Sequence, residues 1–101
     1  MVKIKPRIVI DNLAKIQLKE AYEYIKLDSV KSAEKVKTKI RDSIKELADH
    51  PEKYPLDKYR LGNDGSFRAL EIYKYRISYH VSPQQITVIR IRHTKMNPKP
   101  Y

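Results

Sequence analysis

The sequence predicts an α+β domain: an N-terminal strand, an antiparallel two-helix hairpin, and then a three-stranded antiparallel sheet. Three observations predict it. Apolar residues recur at helical spacing in two stretches between residues 12 and 47, with a short break between them. From residue 66 to residue 92 the spacing changes to the alternation of strands. The 101 residues carry no internal repeat and suffice for one modest core.

Residues 2–10, VKIKPRIVI, alternate apolar and basic side chains, the period of a half-buried strand. Pro6 cannot donate to a ladder, so this strand belongs at an edge or is broken there. Asp11 suits the cap of a first helix over residues 12–27. There Ala14, Leu18, Ala21 and Ile25 form the core stripe, Tyr22 flanks it, and the opposite face is charged. LDSV, residues 27–30, breaks the run, and Ser29 caps a second helix with a stripe of Ala33, Val36, Ile40, Ile44 and Leu47. His50-Pro51 ends it, because proline disfavours helix at the residue before it. A turn this short makes the helices antiparallel neighbours. Both stripes read as core rather than as a cofactor site or a coiled-coil seam. Residues 51–65 form a loop rich in Pro, Gly and Asp. Strands follow over 66–72 and 75–81; SPQQ, residues 82–85, turns the chain into a last strand over 86–92. The tail, HTKMNPKPY, shows no periodicity.

One helical hairpin covers one face of a four-stranded sheet and leaves the other partly open, and that face is where function is expected. Alternation sends Tyr75, Ile77, Tyr79 and Val81 toward the helices and Arg76 to the open side, with Lys74, Ser78 and His80. In the last strand Thr87, Ile89, Ile91 and His93 carry the deeper apolar pair, so Arg90 and Arg92 join Arg76, although Ile86 and Val88 blur this phase. The facing of Arg68 stays open. Such an arginine face would hold phosphates or carboxylates bidentately. The plainer reading is a solvated face whose arginines pair with Glu71 or a helix end.

The chain carries a net charge of +10, with a pI near 9.8, which favours an anionic partner. Residues 11–50 hold nine Lys/Arg against eight Asp/Glu, whereas residues 61–101 hold seven against two, so the excess lies mainly in the sheet-forming half. The absence of cysteine removes disulfides, thiolate metal sites and cysteine nucleophiles, and suits a reducing cytoplasm. The three histidines have no metal-ligand spacing, so no metal or cofactor is expected. No apolar run is long enough for a membrane span, so no membrane partner is expected either.

Taken in order, the L-x-x-x-P end of the second helix (residues 47–51), ALEIYKYRISYHV (residues 69–81) and ITVIRIRH (residues 86–93) resemble the RelE/ParE superfamily, the small basic toxins of bacterial type II toxin–antitoxin modules (the plasmid stabilisation proteins). The resemblance covers nearly the whole chain. It implies a helical hairpin packed on a twisted sheet, and a cognate acidic antitoxin that wraps the toxin. It also implies one of two targets. ParE-like members poison DNA gyrase and are not nucleases; RelE-like members cleave mRNA on the translating ribosome. In the nuclease reading Arg76 matches the phosphate-binding arginine, Arg68 lies near a strand start where some members carry lysines, Arg90 and Arg92 clamp phosphate, His93 is the acid, and Tyr101 stacks on a base. The sequence departs from that pattern. Leu70 stands where a second basic residue is expected, Tyr54 falls where another branch has a carboxylate, and arginine is no general base. The ParE-like reading is therefore preferred. The alternatives are the ribosome-dependent mRNA interferase and a non-toxic nucleic-acid-binding module using the same arginine face.

Overall fold

The computed structural model describes residues 5–96 and 99–101. The elements are β1 (Arg7–Ile10), α1 (Asn12–Lys26), α2 (Val30–Glu46), β2 (Phe67–Ile72), β3 (Tyr75–Val81) and β4 (Gln85–His93), the order the sequence predicts. The strand begins only after Pro6, and residues 2–4 of the expected strand lie outside the described residues. The sheet runs β1-β4-β3-β2. β1 pairs in parallel with β4, and the other two ladders are antiparallel, so the sheet is mixed. β1 sits at the edge, where a strand preceded by proline belongs.

The two helix starts are built differently. Ser29 caps α2 by accepting the Ser32 N–H at 3.1 Å, whereas Asp11 occupies the cap position of α1 with no side-chain hydrogen bond. Ala14, Leu18 and Ala21 from α1, and Ile40, Ile44 and Leu47 from α2, face Leu70, Tyr75, Ile77, Tyr79, Ile86, Val88 and Ile91 from the sheet in one buried layer. Tyr79 lies wholly inside it and donates its hydroxyl to the Pro51 carbonyl at 3.2 Å.

β4 departs from the expected alternation. Thr87, Ile89 and Ile91 were expected inside; instead Ile86, Val88 and Ile91 are buried and Ile89 is not. The cause is a bulge. Ser78 pairs with Arg90 but Tyr79 pairs with Val88, leaving Ile89 as an extra residue. One extra residue reverses the inward face of everything beyond it. Ile86 and Val88 therefore face the helices below the bulge and Ile91 above it, while Arg90 and Arg92 still emerge on the side away from the helices.

The loop after α2 is tied to the sheet. Asp57 donates its N–H to the Phe67 carbonyl at 2.8 Å, and Ala69 donates to the Pro55 carbonyl at 3.2 Å. Residues 55–57 thereby cover the outer edge of β2, which would otherwise present unpaired backbone groups. Asn63 holds the loop further: its amide donates to the Phe67 carbonyl at 2.9 Å and its oxygen accepts the Gly65 N–H at 2.9 Å.

Candidate functional site: a roofed arginine face

Cross-strand pairing places Arg76 beside Arg92 and Ser78 beside Arg90, all on the face away from the helices. Glu71 pairs with Arg76 from β2. Three of the arginines expected together are thus brought together. Arg68 is not among them: it pairs with Tyr79, and its guanidinium donates to the Tyr54 carbonyl at 2.6 Å on the helix-facing side. His93 pairs with Tyr75 and packs edge-on against that ring at 5.1 Å, and its Nδ1 accepts the Lys95 N–H at 3.0 Å.

The face is less open than one hairpin over one sheet implies. The 51–65 loop brings Asp57, Tyr59 and Arg60 over it, and the tail brings Tyr101. Tyr101 donates its N–H to the Tyr59 carbonyl at 2.9 Å, and its own carbonyl accepts from Leu61 at 2.7 Å. The Tyr101 ring lies under the guanidinium of Arg90 at 4.1 Å, with Arg60 at 5.2 Å. Arg90 also donates to the Lys99 carbonyl at 3.0 Å. Tyr101 is therefore a packing residue of the sheet face here.

Beneath this roof sits an ion cluster of which the sequence reading offered the Glu71 pairing but missed Asp57. Asp57 has a side chain 0% exposed and accepts from Arg76 Nη2 at 2.8 Å, from the Tyr101 hydroxyl and from the Tyr59 N–H at 3.1 Å. Glu71 takes the other Arg76 nitrogen at 3.2 Å. Tyr59 lies under the Arg76 guanidinium at 4.9 Å. Arg76 is left with a side chain 16% exposed. Among the buried side-chain polar atoms of the described residues, Arg76 Nε and the Ser78 hydroxyl have no hydrogen-bond partner, and both residues line a cleft of about 40 Å³. That volume has room for water. The signal for Asp57 was weak: a carboxylate in an irregular loop, marked only by the Asx turn that Asp-Lys-Tyr forms with the Tyr59 N–H.

The electrostatics follow from this packing. Burial alone would raise the Asp57 carboxyl, but the hydrogen bonds from Arg76, Tyr101 and the Tyr59 backbone outweigh it and hold the carboxyl below its ordinary range. Burial first, and the Asp57 carboxylate next, push the Tyr101 phenol up to about 12. Burial lowers the Arg90 guanidinium. Chemically, the site is a neutralised arginine cluster. Arg76 already holds two carboxylates, Asp57 is kept ionised as an ion-pair partner, and His93 lies on the Tyr75 side of the strand. An in-line attack by a ribose hydroxyl needs a base and an acid on opposite sides of a phosphate; these residues do not form such a pair. Among the described residues, no group of three or more His, Asp or Glu side chains could hold a metal, and no helix is long and apolar enough to cross a membrane.

A helical hairpin over a small sheet, with arginines on the far face, is the architecture that the resemblance to the RelE/ParE superfamily implies. The particular family follows from the sequence match: the chain belongs to the family described as the ParE toxin of the type II toxin–antitoxin system parDE, whose model matches residues 8–98. Among solved structures, a chain of the chromosomal ParDE system from P. aeruginosa is similar with a TM-score of 0.70 at 19% identity, covering 90% of this chain and 98% of that one. The YoeB dimer from Staphylococcus aureus is similar with a TM-score of 0.55 at 16% identity, covering 89% and 98%. At these identities both likenesses speak for the fold. Among curated proteins, none matches in sequence. The chain is thus a ParE-like toxin of a type II module, a class of protein paired with an antitoxin.

Proposed function

We propose that the protein inhibits growth by binding DNA gyrase and not by cleaving mRNA. The observation that carries this reading is the state of Arg76. A phosphate-binding arginine must offer its guanidinium to the substrate, whereas Arg76 is held between Asp57 and Glu71 and lies against the Tyr59 ring, and Tyr101 closes over its Asp57 partner. Family membership supports the same reading, since gyrase is the target that the ParE branch implies. The antitoxin is read as an acidic protein, complementary to a chain of net charge +10.

The test is expression from a tight promoter in a bacterial host. Growth should arrest with mRNA ends unchanged by primer extension, and the purified protein should inhibit supercoiling of relaxed plasmid by gyrase. New mRNA ends that disappear in Arg90→Ala or Arg92→Ala would establish the interferase instead. Absence of arrest, together with an affinity for nucleic acid that falls steeply with salt, would favour a binding module.

A further inference from the structure

Two buried donors on the arginine face are left unanswered by the protein. Ser78 is 0% exposed and its hydroxyl has no hydrogen-bond partner. The Nε of Arg76 is buried without one as well. The two residues stand two apart on β3 and so share a face. Cross-strand pairing sets Arg90 beside Ser78 and Arg92 beside Arg76. All four line the same cleft of about 40 Å³. A buried donor without a partner costs its full desolvation, so a cleft with two of them calls for an occupant. The donors define its chemistry. A guanidinium Nε only donates and a serine hydroxyl can donate, so the occupant must accept from both.

Charge narrows the choice. Arg76 shares its charge with Asp57 and Glu71. Arg90 makes no salt bridge to a carboxylate among the described residues; it donates to the Lys99 carbonyl and stacks on the Tyr101 ring. Burial works against its charge, and the charges of Arg92 and Arg76 add to that, opposed by Tyr101 and Asp57. Water would answer the two donors but not this cation. Size narrows it further. About 40 Å³ holds roughly three water-sized spheres. A nucleotide phosphate would have to bring its sugars into that space, and a carboxylate side chain its own backbone, whereas a monatomic anion enters whole. We infer that the cleft between β3 and β4 binds one small monovalent anion such as chloride, held by the Ser78 hydroxyl and Arg76 Nε with Arg90 as its counter-charge. The site is structural: the ion completes the packing beneath the Tyr101 roof, whichever target the toxin acts on.

The probe is the halide itself, added to the full chain. Sodium gluconate, whose anion is too large for the cleft, is exchanged for sodium chloride at a constant ionic strength of about 0.5 M. The melting temperature should rise by about 4–8 °C across the exchange, the shift expected where chloride reaches roughly five times its dissociation constant. Ser78→Ala removes one donor and little volume. Whatever its own melting temperature, the part of the rise that depends on chloride should shrink by about half or more. Lys15→Ala, exposed on α1 across the sheet from the cleft, should keep that rise in full. A crystal grown in sodium bromide should show an anomalous peak in contact with Ser78 Oγ and Arg76 Nε. Equal melting temperatures in gluconate and chloride would overturn the inference. A rise retained in full by Ser78→Ala would do the same, because it would come from the general surface. A cleft filled by ordered water in the bromide crystal would assign the two donors to solvent. A larger rise with sulfate than with chloride, lost in Ser78→Ala, would replace the halide site by an oxyanion site.

Discussion

Asp57 is the residue on which the sheet face turns. It is a carboxylate with no exposed side-chain surface, and Arg76 is its ionic partner. Removing one member of a buried pair leaves the other uncompensated, so Asp57→Asn should cost about 3 kcal/mol in urea unfolding. The acid limb offers a sharper check. The folded carboxyl titrates below the usual 3.8. Its contribution is therefore present above that value and is lost as pH falls through the lower, folded value. Unfolding free energies measured downward from pH 5 should show this loss in the unmodified protein and a shallower one in Asp57→Asn. A parallel decline in both would mean that Asp57 does not carry the linkage.

Among the elements, the helix starts and the β2–β3 turn make separate predictions. Ser29 caps α2 with its side chain, while Asp11 makes no such bond at α1. Ser29→Ala should therefore cost about 1 kcal/mol, and Asp11→Ala much less. Chemical denaturation of the two variants side by side decides it, and equal losses would contradict the capping geometry. In the β2–β3 turn, Tyr73 and Lys74 adopt φ of 49° and 71°. A two-residue hairpin turn of this kind favours Asn-Gly, since only glycine reaches positive φ without a Cβ penalty. Lys74→Gly should thus stabilise the protein by about 0.5–1 kcal/mol, the gain from relieved strain exceeding the entropy of the freer unfolded chain. The Thr94 N–H donating to the Lys74 carbonyl is a backbone bond that the substitution keeps. A lower denaturation midpoint in Lys74→Gly would show that the turn is not strained.

For the whole molecule, alkaline pH reports on both layers at once. Burial drives the phenol of Tyr79 in the core up to about 12, and burial with the Asp57 contact does the same for Tyr101 on the far face. The usual tyrosine value is 10.0. A group raised in the folded state stabilises fully below its unfolded value and loses that contribution as pH rises toward the folded one. Stability should accordingly fall between about pH 10 and pH 12, with the phenols of Tyr79 and Tyr101 titrating late by ultraviolet absorbance and those of Tyr22 and Tyr75 also displaced upward. Tyr101→Phe should remove one late phenol and part of the fall. If all eight tyrosines ionised together near pH 10 in the folded protein, the packed roof would be refuted.

The element order, the core stripes of both helices and the inward set of β3 were legible in the sequence, because periodicity is a local property that burial of one face imposes residue by residue. The basic pairing of Arg76, Arg90 and Arg92 was legible for the same reason. The bulge at Ile89 was not. It exists only as a mismatch between two strands, so its two apolar sets read in sequence as a blurred phase. Arg68 shows the same limit: alternation gives two faces, and its pairing with Tyr79 selects between them. The core stripe of α1 was told apart correctly, but its other face reads as charged in the sequence, and the structure shows Leu13, Ile16 and Tyr24 exposed there as well. Asp57 was the least visible of all. An irregular loop carries no period, and what makes Asp57 matter is that residues 55–57 lie along β2 while the tail brings Tyr101 to the same carboxylate. Periodicity and composition carry the fold class and the arginines of the far face. That this face is roofed and its central arginine neutralised emerges only in the folded chain, because burial and ion pairing are made by residues distant in sequence.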